Sequence, residues 1–340
     1  MENIKNNTIE LLSPAGSFEC AKAAISAGAD AIYMGGAKFG ARAFAKSVEE
    51  DKILDTISYT KAHHKKFYLT VNTLFKEKEL KEVFLYLDDI VKSGVDAFIV
   101  QDLGVGMMLR ERYKDVELHA STQMTVTSSK AINLLKTLGF KQIVLARELS
   151  LKEIKAIKKE VGDEIRLESF VHGSMCYCYS GACLMSSFIG GESGNRGRCK
   201  GPCRLPYQTE LKSSHKTNVP YILSMKDMCA LNSLQGLISA GVNSFKIEGR
   251  MRQADYVEGV TKTYRKYIDL ILNKNEKFVI GLKKDSVSSK TMDTTLPSFN
   301  AIESDEKYLL KLYDKGGFTN YYDKHNGVDM IQKYERRKKV

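Results

Sequence analysis

Across the first 250 residues, short apolar runs alternate with longer amphipathic stretches, the rhythm of parallel strands joined by crossover helices. The runs occupy residues 9–13, 31–34, 67–71, 97–100, 117–120, 142–146, 165–171 and 244–248. Helices are predicted over 18–27 behind the N-cap Ser17, and over 79–93, 128–138, 151–161, 230–240 and 253–272. Gly28, Gly94, Gly139 and Gly241 follow four of them as C-caps. Eight strands over about 240 residues suit a (β/α)8 TIM-like barrel, and right-handed crossovers leave few other arrangements. A doubly wound open sheet is the alternative, because strand order is not written in one sequence.

The predicted barrel occupies residues 1–275. A Cys-rich insertion, about residues 173–240, separates strands seven and eight and far exceeds the usual 2–6 residues or so of such a connection. Loops after strand C-termini form the active face of barrels, so unusual residues there point to function. Residues 276–340 read as a linker, centred on the Ser/Thr-rich 283–295, and a short C-terminal appendage that packs back on the barrel.

The chain has 340 residues, 43% hydrophobic and 27% charged, enough for a full core and unlike a disordered segment. No stretch approaches the roughly 18 apolar residues of a spanning helix, and MENIKNNTIELL lacks a secretory apolar run. The expectation is a soluble, cytoplasmic protein with no membrane partner. A net charge of +11 favours polyanionic partners such as nucleic acid, although solubility alone also produces such a charge.

Of seven cysteines, five crowd between positions 176 and 203, spaced Cys176-x6-Cys183-x15-Cys199-x3-Cys203 with Cys178 inside the first interval; Cys229 follows and Cys20 stands apart. Buried thiols acting as small hydrophobes do not cluster in this way. Four thiolates suit zinc or an iron–sulfur cluster, and the wide first spacing favours the cluster over paired zinc knuckles. Arg196, Arg198, Lys200 and Arg204 lie among these cysteines, placed to offset a cluster's charge or grip an anion, or simply to be solvated. The glycines of GGESGNRGRCKGPCR form no P-loop, since no Lys-Ser/Thr follows at the required spacing.

The run Glu168-Ser169-Phe170-Val171-His172-Gly173-Ser174-Met175-Cys176, followed by Gly181-Ala182-Cys183-Leu184-Met185-Ser186, resembles the signature of peptidase family U32. The resemblance extends to ELLSPAGSFECAKAAISAGADAIYMGG, to Asn195-Arg196-Gly197, to LSMKDMCAL and to FKIEGRMR. The family was named for a collagenase-like protease. Its most similar members are bacterial enzymes that hydroxylate an RNA base with a 4Fe–4S cluster. Likeness to the tRNA-acting branch implies C5 hydroxylation of the wobble uridine, with prephenate as a small anionic co-substrate. Neighbouring branches act on an rRNA cytidine or on quinones, and a U32 peptidase is the runner-up. Many relatives continue into a further domain beyond the GGFT segment, which bears on RNA selection more than on chemistry.

Carried over by position, the resemblance implies Cys176, Cys183, Cys199 and either Cys203 or Cys229 as cluster ligands, with Cys203 preferred and Cys178 a filler. Strand alternation puts Glu168, Phe170 and His172 on one face, and Lys246 and Glu248 on another with Arg250 beyond them. Lys246 and Arg250 are expected to hold prephenate's carboxylates, while His172 or Glu248 moves protons. The structural alternative is an ion pair between Lys246 and Glu248 beside an orienting His172. Asn72, Gln101, Ser121, Gln123 and Arg147 at the other strand ends are further pocket candidates, and His63 and His64 read as solvated on an exposed helix. Tyr177, Tyr179, Phe188 and Tyr207 either stack on a flipped base or wall a cluster from water.

Overall fold

Strand order decides between the two sheets the sequence allows. The computed structural model describes residues 9–36, 39, 50–207, 221–272, 299–322 and 330–331. The chain runs β1 (Glu10–Ala15), α1 (Phe18–Ser26), β2 (Ala31–Gly35), α2 (Glu50–Ala62), β3 (Lys66–Val71), α3 (Leu80–Lys92), β4 (Ala97–Val100), α4 (Leu103–Arg112), β5 (Glu117–Ala120), α5 (Ser129–Thr137), β6 (Gln142–Val144), α6 (Leu151–Val161) and β7 (Arg166–Ser174). It continues through α7 (Met185–Gly190), β8 (Asp227–Cys229), α8 (Leu234–Ser239), β9 (Ser244–Ile247), α9 (Ala254–Leu272), α10 (Phe299–Leu312) and β10 (Phe318–Thr319).

Strands β1 to β7 pair in sequence, all parallel, and β9 pairs in parallel with both β7 and β1. The sheet therefore closes on itself as a (β/α)8 barrel, and the open-sheet alternative falls. All eight predicted strands are present. Local chemistry matches the predicted ends: Ser17 accepts a hydrogen bond from the Cys20 N–H at 3.2 Å, and Ser150 and Glu153 form a reciprocal capping box on α6. Gly28, Gly94, Gly139 and Gly241 hold φ of 95°, 93°, 89° and 90°, a region where a Cβ is disfavoured.

Two short strands lie outside the barrel and were not foreseen. β8 runs antiparallel to the end of β7, with Cys229 opposite His172, and β10 runs parallel to β8. Helices α4, α7 and α10 were also missed, and α2 was foreseen only as an exposed helix at His63 and His64, which lie just past its end. In α4 the missing signal has a physical cause: Gly104 and Gly106 interrupt the apolar stripe, and Gly106 lets the Phe140 ring approach to 3.2 Å of where a Cβ would stand.

Most of the core lies between strands and helices. The barrel interior is divided: Leu12, Ala31, Tyr33, Tyr68, Ala97 and Ile99 fill one side, whereas buried His119, Gln142, Glu168, Ser244 and Lys246 fill the other. α10 docks on α9 through Asp305, which accepts from Lys266 at 2.8 Å and from the Tyr267 hydroxyl at 2.6 Å. The predicted linker at 283–295 lies outside the described residues. No helix among the described residues is long and apolar enough to cross a membrane.

The chain leaving β1 touches the chain leaving β9. A Cβ on Gly16 would stand 2.0 Å from the Arg250 carbonyl oxygen, so the backbone must shift to admit one. Gly16→Ala is expected to cost about 1–3 kcal/mol, as overpacking does, measurable as a lower urea midpoint at unchanged m-value.

Candidate active site at the barrel mouth

A cavity of about 420 Å³ opens at the C-terminal ends of the barrel strands. Cys176, Cys178, Cys183, Cys199 and Cys203 line it together with Arg147, Arg204, Lys246, Arg250 and Lys315; Glu248 is the one carboxylate among the lining residues. The mouth is thus rich in sulfur and positive charge.

At its floor, the Lys246 Nζ donates to Glu168 Oε1 at 2.8 Å and sits 4.5 Å from the centroid of the Tyr33 ring. Burial pushes the Lys246 pKa down, and the Glu168 carboxylate opposes that shift. The partner of Lys246 is therefore Glu168 on β7, not Glu248. Glu168 also accepts from Gln142 at 2.5 Å and from Ser244 at 3.3 Å, so its second oxygen is satisfied as well. Below it, Ser244 donates to Glu10 at 2.9 Å and the Tyr68 hydroxyl donates to the same carboxylate at 2.5 Å.

Arg250 donates to Thr70 Oγ1 at 2.6 Å. Its guanidinium occupies space that a side chain at residue 35 would take, since a Cβ on Gly35 would stand 2.7 Å from Nη1. Arg147 is half-buried, donates to the Ser174 carbonyl at 2.8 Å and lies over the Phe170 ring. Burial disfavours its charge, but Cys176, Glu148 and Glu248 outweigh that and raise its pKa. It is the cation placed between the first thiol and the cavity's carboxylate.

His172 is elsewhere. Between Phe170 and His172 the register of β7 against β9 slips by one residue, and that bulge ends the alternation expected to place both on one face. The His172 ring, 2% exposed, packs edge-on against Tyr264 and Phe318, with Nδ1 3.3 Å from the Tyr264 hydroxyl. Burial, aided by the Arg252 charge, pushes its pKa down to about 3. Cys229, opposite His172, is likewise outside the cavity lining; it is 3% exposed, and burial raises its pKa to about 12. Gln101, Phe188 and Tyr207 do not line the cavity, whereas Asn72, Ser121, Gln123, Tyr177 and Tyr179 do. His63 and His64 are exposed where α2 ends, before β3 begins.

All seven thiols are unpaired in disulfides. Burial first, then neighbouring Cys183, Cys203 and Cys176, lift the Cys178 pKa to about 11. Burial likewise raises Cys203, with Cys176 and Cys199 adding to it and Arg204 opposing. No group of three His, Cys, Asp or Glu among the described residues closes on a single-ion site. The thiols are soft donors of the kind that bind thiophilic metals, and cations border them.

Two of the four cations of the cysteine loop are structural. Arg204 donates to Ser224 Oγ at 3.1 Å, to the Met225 carbonyl at 2.9 Å and to the Met175 carbonyl, which pins the feet of the insertion together. Arg196 pairs with Glu79 at 2.6 Å and donates to the Leu74 carbonyl. Sequence reading missed Tyr313 and Lys315, which reach the cavity from beyond α10. The Arg252 guanidinium stacks 3.3 Å from the centroid of Tyr313, and Lys315 lies 3.3 Å from Asp227. Burial lowers the Lys315 pKa to about 8 against the pull of Asp227. Only the proximity of these residues to the GGFT segment offered a signal.

His172 makes stability pH-dependent. Its pKa is about 3 in the fold and 6.5 ordinarily, so the unfolded chain takes up a proton that the folded one refuses. The stabilisation is full above pH 6.5 and is lost as pH falls through that window toward 3. Between pH 7 and 4.5, His172→Phe is expected to lose about 2–3 kcal/mol less than the parent, read from urea unfolding at both values.

The sequence profile of peptidase family U32 matches residues 16–315. The 23S rRNA 5-hydroxycytidine C2501 synthase of Escherichia coli (strain K12) is 41% identical over 272 residues, 79% of this chain and 40% of that protein. The tRNA hydroxylation protein P1 of Bacillus subtilis (strain 168) is 32% identical over 338 residues, 95% of this chain and 80% of that protein. A protein named collagenase from Porphyromonas gingivalis (strain ATCC BAA-308 / W83) is 32% identical over 281 residues, 78% of this chain and 67% of that one. The chain spans less than half the length of the rRNA synthase. With a match over most of its length and the signature cysteines gathered at the barrel mouth, the chain belongs to peptidase family U32.

Proposed function

We propose that this chain hydroxylates a base in RNA, with the C5 carbon of the tRNA wobble uridine as target, a 4Fe–4S cluster as cofactor and prephenate as co-substrate. The observation that carries this reading is the convergence of the signature cysteines and a surplus of cations on one cavity. The names of two relatives, a tRNA hydroxylation protein and an rRNA hydroxycytidine synthase, support the reaction class. Cys176, Cys183, Cys199 and Cys203 would hold the cluster; they share the cavity wall, whereas Cys229 is not among the lining residues. When bound, such a cluster supplies iron redox chemistry that side chains lack.

The remaining work falls to the chain itself. Lys246 donates to Glu168 and Arg250 to Thr70, contacts that hold both cations at the cavity wall, where a carboxylate entering the cavity would meet them. A dicarboxylate such as prephenate suits two such cations at neighbouring positions of one strand end. Glu248 is the group placed to take or give a proton, because His172 packs against α9.

The relatives named as proteases raise hydrolysis as a second reading. A Cys–His hydrolase needs its base within hydrogen-bond reach of the thiol. Cys178 lines the cavity and His172 does not, which weighs against that pair.

Anaerobically purified protein is expected to be brown, with about four irons per chain. Cys203→Ser should lose the colour and Cys229→Ser should keep it. In cells lacking the gene, mass spectrometry of tRNA nucleosides should show 5-hydroxyuridine derivatives gone, restored by the parent but not by Cys176→Ser. Loss of 5-hydroxycytidine from rRNA instead would move the substrate to the ribosome. Colourless protein that cleaves gelatin, with both nucleosides unchanged, would replace the proposal with hydrolysis.

A further inference from the structure

The insertion exposes apolar side chains that a folded chain ordinarily covers. Of the thirteen large hydrophobic residues exposed among the described residues, six fall between positions 177 and 205: Tyr177, Tyr179, Leu184, Phe188, Ile189 and Leu205. Phe188, 84% exposed, is the extreme. It sits one helical turn beyond Met185, which lines the cavity, so its ring emerges beside the cavity's rim. Packing among the described residues does not account for such a ring, and an apolar patch of this kind marks a contact surface.

A cationic cleft adjoins it. Glu192 and Ser193, just past α7, line this cleft together with Lys76, Lys78, Glu79, Arg196 and Arg198. Its walls are tied: Arg196 holds Glu79, and the Leu74 N–H donates to the Asn195 carbonyl at 3.4 Å, which joins the loop after β3 to the cysteine loop. With Glu79 neutralised by Arg196, the exposed Lys76, Lys78 and Arg198 face Glu192 alone, which stands 3.6 Å from Arg198. The cleft therefore carries an excess of about two positive charges, held on a preformed frame. At the C-terminal end of α7, exposed Lys200 donates to the Gly190 carbonyl at 3.1 Å.

An exposed aromatic ring beside a cationic cleft, near the rim of the cavity, is the arrangement that grips an unpaired polynucleotide: the ring stacks on a base and the cations take the phosphates. A duplex offers no free base face to such a ring, and a protein partner gives no reason for the cations. We infer that α7 and the adjoining cleft form a docking site for single-stranded RNA, with Phe188 stacking on a nucleotide next to the target base and Lys76, Lys78 and Arg198 holding its backbone. The inference rests on the RNA reading above and adds to it the way the loop is held open beside the cavity.

Fluorescence anisotropy with a fluorescein-labelled RNA hairpin bearing an unpaired loop, and with a duplex of equal length, tests it on the full chain. The hairpin should bind more tightly than the duplex. Phe188→Ala should weaken hairpin binding about tenfold while leaving the salt dependence unchanged. Lys76→Ala/Lys78→Ala/Arg198→Ala should lower the slope of log affinity against log salt by about two. All four positions are exposed, or at a cleft edge, so the far-UV spectrum and melting point should match the parent. If the parent binds the hairpin and these variants bind it equally well, the docking site is refuted and the RNA reading stands. If the parent ignores the hairpin but binds anionic phospholipid vesicles through Phe188, both fail.

Discussion

A buried lysine and a buried carboxylate 2.8 Å apart, Lys246 and Glu168, span the seam where β9 meets β7. On the other flank of β9, Ser244 reaches the half-buried Glu10 on β1 and also the buried Glu168, so one strand is fastened to both neighbours by polar contacts. Removing one member of a buried ion pair costs about 3–5 kcal/mol, a large share of a fold's net stability of about 5–15 kcal/mol. This seam decides where the strand ends point, and hence that the insertion after β7 and the residues after β9 face each other across one cavity.

The same interior explains why the mouth can carry so much positive charge. The floor carboxylate neutralises the deepest lysine, Thr70 accepts from Arg250, and Arg147 faces Cys176 and Glu248. The cations are therefore held in place before anything binds, as preorganised electrostatic sites require. The cysteines face them from the insertion, whose two feet are pinned by Arg204.

Much of this was legible in the residues. Apolar runs located all eight barrel strands, because both faces of a barrel strand are buried and the runs are nearly continuous. Cysteine crowding in one long connection located the cavity, because the ends of parallel strands gather such connections on one face. What was not legible is non-local or turns on a single inserted residue. Alternation placed His172 beside Phe170, and one bulge sent it to α9 instead. The structural alternative paired Lys246 with its strand neighbour Glu248 because a sequence shows i and i+2, while Glu168 comes from another strand. Tyr313 and Lys315 are far along the chain from every other wall of the cavity, and no period announces them. β8 and β10, of three and two residues, are too short to carry one.

Arg250 owes its pose partly to an atom that is not there. With hydrogen as its side chain, Gly35 leaves the volume into which the guanidinium swings. Even a methyl group at that position would stand 2.7 Å from Nη1 and oblige the guanidinium to shift, with every charged side chain of the cavity left in the sequence. Defects in this protein can thus begin at a residue with no chemistry of its own, and a survey limited to charged and sulfur-bearing side chains would pass over them.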